Sequence, residues 1–171
     1  MNFDKQPILS GDLVFLRPLE LADYDALWSV ASDRLLWEQH PAWDRYKEPV
    51  FKTLFEESIN SGGCLVIIDQ ESNKIIGSSR YWGYDEELSE IEIGWTFLNR
   101  KYWGGTYNRE IKQLMLEHAF KFVNRVIFMV GVNNIRSQKA MEKIGGVRES
   151  LSEDTGGNAS YVYVITDSEF A

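Results

Sequence analysis

NRKYWGGTYNREIKQLMLEHAF (99–120), KFVNRVIFMVGV (121–132) and NNIRSQKAMEKIGG (133–146) decide how this chain is read. A Gly-Gly turn opens an amphipathic helix, an apolar strand follows, and a second helix starts at Asn134-x-x-Ser137. The first N–H groups of a helix have no partner inside it, and the helix dipole adds positive potential there. A helix start beside glycines therefore suits phosphate oxygens. In Lys101–Asn108, KYWGGTYN, Gly104 and Gly105 let backbone approach a diphosphate without obstruction, and Lys101 and Arg109 bring charge. From the Gly-Gly alone, a plain glycine turn before an amphipathic helix is the better reading.

The charge distribution agrees with a local anionic ligand. The chain of 171 residues carries a net charge of −8. Residues 99–143 nevertheless hold nine Lys/Arg against three acids, a surplus of +6, whereas the remainder sums to −14. Net acidity argues against nucleic acid as a partner. Lys121, Arg125 and Lys143 read as solvated charges at helix ends. The acidic remainder, including Asp85, Glu86 and Glu87, suits a cationic partner or plain solubility.

At this length one domain, residues 1–171, with a sizeable core is expected. Hydrophobic residues make up 44% of it, as in a globular protein. One cysteine, Cys64, precludes an intrachain disulfide and fits a reducing compartment. The start, MNFDKQPILSGD, lacks the pattern of a signal peptide. No apolar run nears the roughly 20 residues of a membrane helix. A cytoplasmic protein with no membrane partner is expected, as a monomer or homodimer.

Outward from the central stretch, the pattern alternates strands and helices. LVFLRPLE (13–20) reads as a strand, and Asp23 as the cap of a helix through Tyr24, Leu27, Trp28 and Ala31. Trp37 to Pro49 reads as an aromatic loop or short helix, and 50–60 as a helix ended by Ser61-Gly62-Gly63. CLVIID (64–69), IIGSSRYW (75–82) and LSEIEIGWTFL (88–98) are strands. Alternation along the last puts Ser89, Ile91, Ile93 and Trp95 on one face and Leu88, Glu90, Glu92 and Gly94 on the other. The helix of 107–122 buries Ile111, Leu114, Met115, Ala119 and Phe122. Strand 125–132, helix 135–144 and a hairpin around Gly156-Gly157 complete an α/β or α+β class.

The motif in 101–108 resembles the pyrophosphate loop of the GNAT superfamily of acyl-CoA-dependent N-acyltransferases, Q/R-x-x-G-x-G/A before a helix. The similarity is strongest to its RimJ/RimL-like branch, which includes ribosomal-protein N-terminal acetyltransferases. Trp103-Gly104, Asn134-Ile-Arg-Ser137 and Lys143-Ile-Gly145 match that branch in spacing and order, as does the opening FLRPLELADYDALW. Three positions depart: Lys101 stands for Gln or Arg, Thr106 for the second Gly or Ala, and Met141 for a tyrosine common in the family.

The resemblance implies a mixed, mostly antiparallel central sheet of about seven strands flanked by helices, splayed between the fourth and fifth strands. It implies acetyl-CoA as co-substrate, bound by Lys101, Trp103, Gly104, Gly105, Thr106, Tyr107 and Asn108. Backbone groups of Phe97, Leu98 and Asn99 on the splayed strand would meet the pantetheine arm, as in strand addition. Asn134 would contact that arm too, and Ser137 would lie near the sulfur and donate a proton to the departing thiolate. The activity implied is transfer of an acetyl group to a primary amine, a protein N-terminus or a small molecule. A non-catalytic acyl-CoA-binding or regulatory module of the same fold is the alternative.

Glu92 is the candidate base, because only the free amine is nucleophilic and a carboxylate on the open face can take its proton. Glu90 shares that face and is its rival. Asn134 and Ser137 also read as helix caps. Arg136 and Lys139 are candidates for a CoA phosphate or plain surface charge. His118 reads as half-buried packing, His40 as part of the aromatic loop, and Cys64 as a small buried hydrophobe. No Cys/His cluster suggests a metal.

Overall fold

The computed structural model describes residues 2–170. One eight-stranded sheet runs through it in the order β1-β2-β3-β4-β5-β6-β8-β7. The strands are β1 (Leu9–Ser10), β2 (Val14–Pro18), β3 (Cys64–Asp69), β4 (Lys74–Asp85), β5 (Glu90–Leu98), β6 (Arg125–Gly131), β7 (Val147–Glu153) and β8 (Ala159–Thr166). The helices are α1 (Tyr24–Ala31), α2 (Glu48–Ser61), α3 (Thr106–Ala119) and α4 (Ile135–Lys143). All strand pairs are antiparallel except β5–β6. The two-residue β1 accounts for the eighth strand against about seven expected. No helix among the described residues is long and apolar enough to cross a membrane.

The sheet separates two cores. Ile111, Met115, Leu116 and Ala119 of α3 and Met141 of α4 pack one face, against Leu65, Ile67, Ile91, Ile93, Val126 and Phe128. Leu27, Val30 and Ala31 of α1 and Phe51, Leu54 and Phe55 of α2 pack the other, with Trp37, Cys64, Val66 and Phe97. His118 is buried as a packing residue, its Nε2 2.7 Å from the Asp4 carbonyl.

Three local expectations change. Asp23 stands at the start of α1, but its carboxylate takes both Nη atoms of Arg17 (2.9 and 2.8 Å) and the Glu20 N–H instead of capping. α3 ends at Ala119, so Phe122 packs from the following turn. Trp95 leaves the face of Ile91 and Ile93: its φ of +52°, beside a register shift against β4, turns it to the α1–α2 side. A left-handed, bulged residue adds one position to the strand and so reverses the alternation beyond it. Thr96 consequently faces α3, while Phe97 joins Trp37 in the second core.

Candidate active site at the split between β5 and β6

β5 and β6 pair in parallel only at Glu90–Arg125, Ile91–Val126 and Glu92–Ile127. Beyond Glu92 both strands continue without pairing, β5 to Leu98 and β6 to Gly131. The sheet therefore opens a V whose apex is Glu92. At its mouth stand the loop before α3 and the first turn of α4.

The loop is built by local rules. Asn99 Oδ1 accepts the Lys101 N–H (3.0 Å) and starts a single 3₁₀ turn, Arg100–Tyr102. Gly104 (φ +119°) and Gly105 (φ +102°) then reverse the chain in a region that side chains avoid. Arg109 N reaches back to Gly105 O, so the N–H groups of Thr106, Tyr107 and Asn108 form the unpartnered first turn of α3. Thr106 is helical and exposed, so its branched side chain does not fill the loop. A Cβ on Gly104 would meet open space, and one on Gly105 would come 4.0 Å from Lys143 Nζ. Lys143, read from sequence as a solvated helix-end charge, thus stands at the loop.

Buried Asp69 anchors the loop from β3. It accepts from Tyr107 OH on Oδ1 (3.0 Å) and from Tyr102 OH on Oδ2 (3.2 Å). Trp103 Nε1 donates to Leu98 O (2.8 Å), and the Arg136 guanidinium lies 3.8 Å above the Trp103 ring. Asn99 N donates to Ile76 O. The backbone of Phe97, Leu98 and Asn99 is thus less open than expected: Leu98 O and Asn99 N are engaged, which leaves Leu98 N–H on the edge facing the split. Lys101, Arg109 and Lys139 are exposed. Arg136 is bound up with Trp103 and the Leu36 carbonyl (3.3 Å) rather than free.

At the apex the two candidate carboxylates separate. Glu90 is ion-paired with Arg125, which also grips Glu149 through two bonds of 2.7 and 2.6 Å. Arg125 is accordingly a strand residue in an ion-pair network, not a solvated helix-end charge. Glu92 has no hydrogen bond or ion pair among the described residues. Burial pushes its carboxyl up to about 7, against the pull of Arg80, with Glu90 adding to the rise. A half-buried carboxyl, unpaired among the described residues and titrating near neutrality, is what a general base requires.

Asn134 is buried and caps α4, its Oδ1 facing Ser137 N at 3.4 Å. Ser137 is half-buried, and its hydroxyl bonds nothing among the described residues. Met141 is buried in the α3–α4 core. The aromatic segment closes over the V: Trp37 packs on Phe97 (5.3 Å), and Gln39 Oε1 accepts Arg136 N–H (3.2 Å). Pro41 sits so close to Gly131 that a Cβ there would lie 2.5 Å from its Cγ. Trp37 and Phe51 are thus core residues, and Trp43 is the exposed one. His40 Nδ1 accepts Ala42 N–H (2.9 Å), and burial lowers the ring's pKa to about 3, with Arg45 and Arg136 adding, so it stays neutral.

Sequence reasoning passed over Arg80, Arg45, Glu57 and Asp69, and counted Lys112 only as part of the basic island. Arg80 is a charge inside the apolar strand IIGSSRYW, and Lys112 a charge beside Ile111 and Met115 on the buried helix face. Those placements were the available signals. Lys112 Nζ donates to Thr96 Oγ1 (2.6 Å), which meets Ser79 Oγ (2.7 Å), and burial lowers its pKa to about 7.

Residues 14–147 match the family model described as the acetyltransferase (GNAT) domain. The chain belongs to the GNAT acetyltransferase family. It is therefore an acyl-CoA-dependent acetyltransferase. Its fold is similar to a GNAT-family acetyltransferase from Bacillus anthracis (24% identity, 95% of this chain and 100% of that one, TM-score 0.79). It is also similar to a GCN5-related N-acetyltransferase from Brucella melitensis (22% identity, 96% and 80%, TM-score 0.80). A spermidine N-acetyltransferase from Vibrio cholerae, solved with CoA and spermine, shares the fold as well (16% identity, 93% and 98%, TM-score 0.68). Among the described residues no group of His, Cys, Asp or Glu could hold a metal ion.

Proposed function

We propose that this enzyme moves an acetyl group from acetyl-CoA to a primary amine by direct attack within one acyltransferase domain, in the cytoplasm and without a metal. The observation that carries the reading is Glu92: a half-buried carboxyl at the apex of the split, unpaired among the described residues, with its pKa raised to about 7. The N–H groups of Thr106, Tyr107 and Asn108, with Lys143, take the diphosphate, and Leu98 N–H meets the pantetheine arm. Glu92 removes a proton from the ammonium form of the acceptor, directly or through water. The amine nitrogen forms a bond to the thioester carbonyl carbon, and the carbon–sulfur bond breaks. CoA leaves as a thiolate, and the proton still carried by the acylated nitrogen passes to it through Ser137, which is reprotonated in turn, or through solvent, since a buried Met141 cannot relay one. A thiol's low pKa makes it a fair leaving group, so positioning and deprotonation dominate catalysis.

The acceptor is a small amine or a protein N-terminus, the latter in keeping with the likeness to the ribosomal-protein branch. Calorimetry with acetyl-CoA should give saturable, one-site binding, and release of free thiol across an amine panel should follow. Absence of binding would sink the proposal. Binding without thioester consumption across the panel would instead favour a non-catalytic acyl-CoA module.

A further inference from the structure

Arg45, Glu57 and Glu92 lie on the α1–α2 side of the sheet within electrostatic reach of Arg80, and no ion pair joins any two of the four among the described residues. Arg80 of β4 is 4% exposed, stacked 4.1 Å from the Trp95 ring, and donates from Nη2 to Ser58 Oγ (2.8 Å). Its buried Nε has no partner. Arg45 lies 5.5 Å over the Trp37 ring and has no hydrogen bond or ion pair from its guanidinium among the described residues. It lines a cleft of about 390 Å³ with Glu57, Pro49, Val50, Thr53 and Leu54. Arg80 is within electrostatic reach of Arg45, Glu57 and Glu92.

A buried guanidinium that served only the fold would be held by a carboxylate, because an unpaired buried charge is costly. Here burial and then Arg80 lower Arg45 to about 10, and burial lowers Arg80 against the pull of Glu57 and Glu92. Glu57 and Glu92 stand nearby without bridging either of them. Such an arrangement is completed by a ligand anion. A planar guanidinium at a cleft wall binds a carboxylate through two parallel bonds. The Glu92 carboxyl lies on the same side of the sheet, within the field of Arg80. A second cation, as in a polyamine, would instead meet repulsion from Arg45 and Arg80.

Resting on the acetyltransferase reading above, we propose that the acceptor is an amine that also carries a carboxylate, with Arg45 at the cleft wall recognising the carboxylate, buried Arg80 adding positive potential behind it, and Glu92 taking the amine's proton. Such amino-acid-like molecules differ from the cationic partner that the acidic exterior suggests.

The test uses the full chain with acetyl-CoA and thiol release as readout. The panel contains L-α-amino acids, β-alanine and 4-aminobutyrate, each beside its amide, together with spermidine. At least one free acid should exceed its own amide in kcat/KM by about tenfold or more, since a buried donor left unpaired penalises the analogue. In Arg45→Met that ratio should fall toward one, and Arg45→Lys should lie between, with melting temperatures held near wild type. Amides or spermidine turned over as well as the acids would overturn the proposal, as would an unchanged ratio in Arg45→Met. Acetyl-CoA binding without acetylation of any free acid would overturn it and leave the co-substrate reading standing. If acetyl-CoA itself fails to bind, that reading falls first. Calorimetric titration of the amino acids into wild type and Arg45→Met then decides the recognition alone, absent or equal binding refuting it.

Discussion

The two ends of the split are made in different ways. The outer end, Lys101–Asn108 with α3, is one contiguous segment whose geometry comes from two left-handed glycines and a helix start. It presents backbone N–H groups, and Lys101 in it and Lys143 beside it are exposed. The inner end, around Glu92, gathers side chains from the 37–49 segment, α2, β4 and β5, and buries them. Dipoles held by the backbone suffice to bind a diphosphate. Moving a proton near neutral pH calls for a displaced pKa, and at Glu92 that displacement comes first from burial among several elements, with the charges of Arg80 and Glu90 adjusting it.

Replacing Glu92 by Gln should break the inner end most severely. Turnover should fall by about 10² to 10⁴, the usual contribution of a positioned base, with acetyl-CoA affinity unchanged by calorimetry. In wild type kcat/KM should rise with pH through about 7, and the variant should lose that limb. The sign for stability is opposite. Glu92 holds its proton in the folded state between its unfolded pKa and about 7, so its contribution falls as pH rises through that window. E92Q should therefore melt higher than wild type at pH 8 and nearly level at pH 4. Unaltered turnover in E92Q would remove Glu92 from the mechanism.

Gly104→Val should break the outer end. The left-handed φ and the added side chain should weaken acetyl-CoA binding by about tenfold or more, read by calorimetry. If affinity holds, the loop is not the phosphate site. Lys112→Met sharpens the floor between the ends. The buried lysine is held below its ordinary pKa, so wild-type stability should rise with pH above about 7, where the folded state has shed a proton that the unfolded chain keeps. The variant should lose that rise and gain on the order of 1–3 kcal/mol at pH 7 in denaturant melts. Glu90→Gln should do least: turnover within about twofold, and a loss of roughly 0.5–1 kcal/mol from the Arg125 network. A large fall in turnover would return Glu90 to contention as the base.

Much of the fold could be read from the chain. The Gly104-Gly105 turn, the Asn134 cap, the helix ends and the alternation of β5 up to Gly94 follow local rules, in which the residue at a position sets its own backbone. Phase was lost at Trp95, because the left-handed bulge depends on pairing with β4 and no local residue announces it. Asp23 was misread for a similar reason: the partner that claims its carboxylate, Arg17, comes from a neighbouring strand.

The sequence by itself determined the family, the order of elements and the Gly104-Gly105 loop before α3, since these reside in contiguous segments. Only the tertiary structure separated Glu92 from Glu90, brought Lys143 to Gly105, and set Arg45, Glu57 and Arg80 beside one another. Charge and pKa are properties of an environment, and an environment is assembled from residues far apart in the chain.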